Sequence, residues 1–172
     1  MRVDLHLSVI LLCGCLVVAA HAGAQAPDSQ RVKKDPHMTR HAEGTFDVKN
    51  APLAADDATQ GTPIGRYGLD KQFHGDLEGT SKGEMMGAGD PGKGTAGYVA
   101  MEYVTGTLGG HTGSFALQHS GTMEGGKFNL NVVVVPGSGT GALAGISGAM
   151  NIIIAAGKHS YQFEYTLPDA AQ

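Results

Sequence analysis

The stretch VVVVPGSGTGALAGISGAMNIII, Val132 to Ile154, sets two β-branched runs on either side of Gly137, Gly139, Gly141, Gly145 and Gly148. Each interior glycine costs a helix about 1 kcal/mol relative to alanine, so spacing this close excludes one. A flexible linker would be solvated, and the flanking VVVV and NIII are too apolar for that. The spacing predicts a turn at Gly137 and Gly139, which supply positive φ, followed by a strand. Gly141, Gly145 and Gly148 are expected in that strand as bulges or points of close backbone approach that let a narrow sheet bend shut.

The same punctuation runs through most of the chain. Of the 27 glycines, 24 lie between Gly61 and Gly157, and no glycine-free run there exceeds the ten residues Lys127–Pro136. A mean helix needs about 11 to 12 residues, so helices are excluded across most of this region. Alternation replaces them. In KFNLNVVVV, Phe128, Leu130, Val132 and Val134 share a face opposite Asn129 and Asn131. In HSYQFEYTL, His159, Tyr161, Phe163, Tyr165 and Leu167 share one face, and GSFALQH groups Phe115, Leu117 and His119. GYVAMEYV stays ambiguous between the Tyr98–Ala100–Glu102–Val104 face and the Val99–Met101–Tyr103 face.

With GTFDV as a short first strand, IGRYGLDKQF, GDLEGTSKGEMM and GALAGISGAMNIII bring the count to about eight, with turns at GAGDPGKG, EGGK and AAGK. KNAPLAADDATQGTP reads as a loop. Eight antiparallel strands escape exposed edges by closing, and a barrel of that size has room for side chains or one small ligand. The expectation is all-β, a single closed antiparallel barrel over residues 42–168, followed by a short tail, 169–172.

The N-terminus carries a different signal. Arg2 precedes an apolar run from Leu7 to Ala20, too short to span a bilayer, and Ala22-Gly23-Ala24 fits a signal-peptidase site. Residues 1–24 therefore read as a signal peptide and the protein as secreted or periplasmic. The alternative is a lipid anchor on Cys15 within LCGC, although the apolar residues Leu16 to Ala20 continue past it. Cys13 and Cys15 both lie inside this leader, so the exported chain folds without disulfides. A polar, proline-containing arm, 25–41, follows; its His37 and His41 at i, i+4 lack a helical face and read as solvated rather than metal-binding.

Loss of Arg2 and Asp4 removes one charge of each sign, leaving the net charge at −4 with no basic cluster larger than RVKK. Nucleic acid, which needs a concentrated positive footprint, is excluded as a partner. After signal cleavage no membrane span is expected.

The glycine stretch resembles the hairpin of the allene oxide cyclase and dirigent barrels. A broader resemblance rests on FDVK, LDKQFHGDLEGTSKGEM, AGYVAMEYVTGTLGGHTGSFALQHSGTM, VVPGSGTGALAGISGAMNI and KHSYQFEYTLP. In order and spacing these are similar to the bacterial domain of unknown function 3224 family, from about Ala42 to Pro168. The resemblance implies an allene oxide cyclase-like barrel and no activity, since the family has none established. The leader and arm are additions to a domain often found without them.

If the face holding Phe115 and Phe163 points inward, His119, His159, Tyr161 and Tyr165 point inward with it, and Glu102 joins if its strand presents the Tyr98 face. Together these five are the candidate ligand-binding residues. Burial would raise the pKa of the carboxyl and lower that of an imidazole, toward values useful in proton transfer. Both histidines also fit a structural role at the strand ends, bonded to backbone carbonyls. His74 and His111 fall at turns and are expected to be solvated.

Other chemistries fail on spacing. His119 and His159 lack the close partners of zinc sites, so no metal or other cofactor is expected. GSGTG and GAGDPGKG have neither the order nor the following helix of a phosphate loop. Ser120 next to His119 on a strand points to the opposite face, and no nucleophile elbow occurs. Three functions follow: binding of a small, partly apolar molecule in the lumen; an isomerase or cyclase using Glu102, His119 or Tyr161; or a filled barrel that works through its outer surface or a homo-oligomer interface. A lumen packed by Met85, Met101, Phe115 and Phe163 would favour the last, and an open one lined by Glu102 and His119 the first two.

Overall fold

The computed structural model describes residues 38–168. Among the described residues nine strands are present: β1 (Arg40–Leu53), β2 (Gly65–Gly75), β3 (Leu77–Asp90), β4 (Thr95–Leu108), β5 (His111–Glu124), β6 (Lys127–Val134), β7 (Thr140–Gly141), β8 (Ser147–Ala155) and β9 (Lys158–Thr166). A single 3-10 turn, Pro91–Lys93, joins β3 to β4, and there is no α-helix among the described residues. The segment read as a signal peptide, most of the polar arm including His37, and the tail lie outside the described residues.

Every pairing is antiparallel, and the order β4-β3-β2-β1-β9-β8-β6-β5 closes through a β4–β5 ladder. Eight strands thus form a closed barrel without a free edge, as the glycine and alternation patterns predict. The two-residue β7 lies outside that ring and pairs only with β5. The seam between β6 and β8 is the narrowest, with Val133 facing Ala149 as its one ladder pair. Two-residue hairpins at Gly109–Gly110 and Gly125–Gly126 place both central residues at positive φ, the geometry whose twist matches the flanking strands.

Curvature has a visible origin in a row of facing glycines. Gly79 pairs with Gly106, Gly106 with Gly113, and Gly113 with Gly141. A Cβ at Gly106 would lie 2.3 Å from the carbonyl oxygen of Glu78, and one at Gly113 2.1 Å from that of Thr140. Only residues without a side chain let these backbones approach so closely.

The opening stretch itself needs correction. Gly137 has the expected positive φ of 75°, but Gly139 does not; a Cβ there would stand 2.1 Å from the carbonyl oxygen of Leu143. Gly141 ends the two-residue β7 and Gly145 lies in the loop that follows it, both ahead of β8 rather than in that strand. This loop crosses the barrel end and buries Leu143 and Ile146 as a plug. Spaced glycines turned out to serve a folded lid as well as a bent strand, and a period-2 pattern cannot tell the two apart. β1 likewise runs longer than GTFDV, from Arg40 to Leu53, so it begins inside the segment read as the arm and takes in the start of the expected loop.

The two ends of the barrel differ. At the closed end Leu77, Leu108, Phe115, Leu117, Leu143, Ile146, Tyr161, Phe163 and Tyr165 form a continuous buried core. At the open end the 54–64 loop is held by Arg66. Its guanidinium donates to the carbonyl of Ala54, pairs with Asp56 at 2.8 Å and bonds Glu84 at 2.5 Å.

Candidate functional site

Glu102 faces inward with Tyr98, Ala100 and Val104, which settles the ambiguous strand; Val99, Met101 and Tyr103 face outward and are about half exposed. The carboxylate sits at mid-barrel with no exposed side-chain surface. Three residues from other strands converge on it. Lys71 of β2 donates from Nζ to Oε2 at 2.6 Å, Ser81 of β3 donates to Oε1, and His119 of β5 brings Nε2 to 3.0 Å from Oε2. That last contact is short but misaligned, and Nε2 has no hydrogen-bond partner. The Lys71 ammonium also lies over the rings of Phe46 (4.9 Å) and Phe73 (5.7 Å).

This environment reverses the expected shift of Glu102. Burial pushes the carboxyl up, but the His119 contact, the Lys71 charge and the hydrogen bonds from Lys71 and Ser81 outweigh it and hold the pKa down at about 2. At neutral pH Glu102 is a fixed counter-ion and has no proton to donate as a general acid. The sequence reading missed Lys71 and Ser81. Leu69, Lys71 and Phe73 alternate onto one buried face, so strand parity carried the signal for the lysine. Nothing local marked Ser81.

Above this cluster, toward the open end, lies a cavity of about 220 Å³. Each of the eight barrel strands contributes a wall: Phe46 and Val48 from β1, Leu69 and Lys71 from β2, Met85 from β3, Tyr98 from β4, His119 from β5, Leu130 from β6, Ile152 from β8 and His159 from β9. It is therefore the lumen itself. A wider space of about 590 Å³, sharing Asn50, Met85, Tyr98, Phe128 and Ile154, extends it to the rim. Tyr98 and Phe128 stack there with centroids 6.3 Å apart. Burial and the Glu102 charge together raise the Tyr98 pKa.

Of the five candidate residues, the structure thus brings Glu102 and His119 together and sets His159 on the cavity wall, its ring 5.1 Å from that of Phe46. Tyr161 and Tyr165 point inward but belong to the closed end. The Tyr161 hydroxyl accepts from the backbone N–H of Leu77 at 2.9 Å and donates to the His74 carbonyl at 3.4 Å; burial raises its pKa. Tyr165 packs against Phe163 with centroids 5.3 Å apart. His74 is half exposed near Asp47 and Glu78, and His41 is exposed near Glu164. Among the described residues no three His, Cys, Asp or Glu side chains gather as a metal-binding group.

A family model described as "Protein of unknown function (DUF3224)" matches residues 42–165. The chain belongs to the DUF3224 family. A crystal structure of a DUF3224 protein of unknown function from Shewanella oneidensis MR-1 is similar to it, with a TM-score of 0.70 and 46% sequence identity over 78% of this chain and 100% of that one. No curated protein matches the sequence.

Proposed function

We propose that this DUF3224 barrel binds a small, partly apolar molecule in the open half of its lumen. The supporting observation is the chamber walled by all eight strands, apolar on its sides and floored by Lys71 and His119. Apolar walls with a few convergent polar groups are the usual make-up of a small-molecule site. An apolar cavity of about 150 Å³ is enough for benzene, so about 220 Å³ suits one ring or a short chain with a substituent, with the rim space taking more. Displacement of the neutral fluorophore N-phenyl-1-naphthylamine tests this. Leu130→Trp, which fills the chamber, is expected to abolish uptake while leaving the fold intact. Equal uptake by both forms would place the dye elsewhere and remove the support.

A second reading rests on the outer face of β4, where Val99, Met101 and Tyr103 form an exposed apolar row beside Met86 of β3. Rows of this kind mark contacts between proteins. Self-association through it predicts a homo-oligomer in sedimentation that Met101→Glu dissolves.

We also infer export, from the apolar run Leu7–Ala20, the Ala22-Gly23-Ala24 site and the absence of cysteine after Cys15. N-terminal sequencing of the protein recovered from its host is expected to begin at Gln25. A start at Met1 would refute export, and an acylated Cys15 would replace it with the lipid anchor.

A further inference from the structure

We propose that the chamber floor seats the carboxylate head of a small apolar monocarboxylic acid, an assignment that rests on the lumen being a binding site. The floor has donors to spare, while each oxygen of its carboxylate already accepts a bond. Both oxygens of Glu102 are occupied, Oε1 by Ser81 and Oε2 by Lys71 with His119 beside it. An ammonium carries three N–H bonds. Among the described residues Lys71 commits one to Glu102, leaving two for an incoming acceptor or for the aromatic faces beneath. His119 lines the chamber with a side chain only 4% exposed, and its Nε2 finds no partner. A buried polar atom left unpaired is costly, so its retention here points to a partner that arrives with a ligand.

Charge separates a carboxylate from other acceptors. The floor lines the chamber with a lysine ammonium and an imidazole, and a negatively charged acceptor takes a charge-assisted bond from the first. The other titratable groups facing the chamber are His159 on β9 and Tyr98 on β4. A cationic head meets the Lys71 ammonium and spare N–H bonds and gains nothing. A neutral hydroxyl or carbonyl accepts one bond but leaves the charge-assisted contribution unused.

Benzoate, benzyl alcohol and benzylamine share a ring and differ in the head, and each competes against N-phenyl-1-naphthylamine on the purified protein. Benzoate is expected to bind about tenfold or more tightly than benzyl alcohol, a difference of about 1.4 kcal/mol, with benzylamine weakest. Lys71→Met combined with Glu102→Leu removes both charges together, and His119→Leu removes the unpaired donor. Each variant is expected to keep dye binding and lose the benzoate preference. Equal binding of the three competitors, or a preference for benzylamine, overturns the carboxylate assignment and leaves the lumen reading standing. Absence of dye binding by the wild-type protein overturns both.

Discussion

Replacing Glu102 by glutamine should be the most damaging polar substitution in the barrel, by an amount two routes agree on. The carboxyl ionises at about 2 in the folded chain against 4.5 as its ordinary value. At about 1.4 kcal/mol per pKa unit, that depression is worth about 3 kcal/mol to the fold. Independently, removing one partner of a buried ion pair costs about 3–5 kcal/mol, because the other charge stays buried alone. Here the stranded charge is Lys71, 5% exposed, and the glutamine NH₂ would meet a donor from either Lys71 or Ser81. The sign of the pH dependence follows. A depressed folded pKa contributes stability that is fully present above 4.5 and is lost as pH falls toward about 2. Urea denaturation of wild type and Glu102→Gln should therefore differ by about 3–4 kcal/mol at neutral pH. That gap should shrink steadily as pH falls through this window. The double variant Lys71→Met/Glu102→Leu should recover most of the loss, since an apolar pair of similar volume often matches a buried ion pair. A neutral-pH loss below about 1 kcal/mol, the size of an exposed pair, or a gap that does not change with pH, would refute the buried ion-pair account.

Three further outcomes probe the rest of the barrel. Gly106→Ala, whose Cβ would meet the Glu78 carbonyl at 2.3 Å, should cost about 1–3 kcal/mol in denaturation and lower the melting temperature. Leu143→Ala should cost about 2–5 kcal/mol by hollowing the plug at the closed end, without changing dye binding at the other end. Tyr161→Phe should cost about 1–3 kcal/mol, because the buried N–H of Leu77 loses its acceptor. It should leave ligand affinity unchanged, which separates it from His119.

Much of the fold was legible because closure is a property of pattern. Frequent glycines ruled out helices, alternation counted the strands, and a sheet with that many strands has a strong reason to hide its edges. What the pattern could not give was which glycines bend a strand and which fold a loop. Gly139 and Gly145 look like Gly148 in the sequence, but only Gly148 lies in β8. That difference is made by Leu143 and Ile146 finding the end of the core, a contact that exists only once the barrel has closed.

The site was legible to the same depth. Parity placed His119, His159, Tyr161 and Tyr165 inside, and all four are there, but parity is blind to position along the axis. Tyr161 and Tyr165 lie in the filled half, His159 lines the open chamber, and Glu102 with His119 marks the boundary between halves. Lys71 shows why height matters. On the strand it is a charged residue between Leu69 and Phe73, easily dismissed as a solvated break in the alternation. In the barrel, β2 and β4 each pair with β3, Lys71 opposite Ser81 and Glu102 opposite Gly83, which brings the lysine and the carboxylate within reach of each other. Burying that pair adds little net stability compared with an apolar filling. Methionine and leucine at these two positions would extend the closed core upward at little energetic loss. The chain instead keeps a neutralised ion pair and an unpaired imidazole where the filled half stops, with open space directly above. An ion pair that stability alone does not require, set at the floor of a chamber, is what the proposed ligand site predicts and what the fold beneath it does not demand.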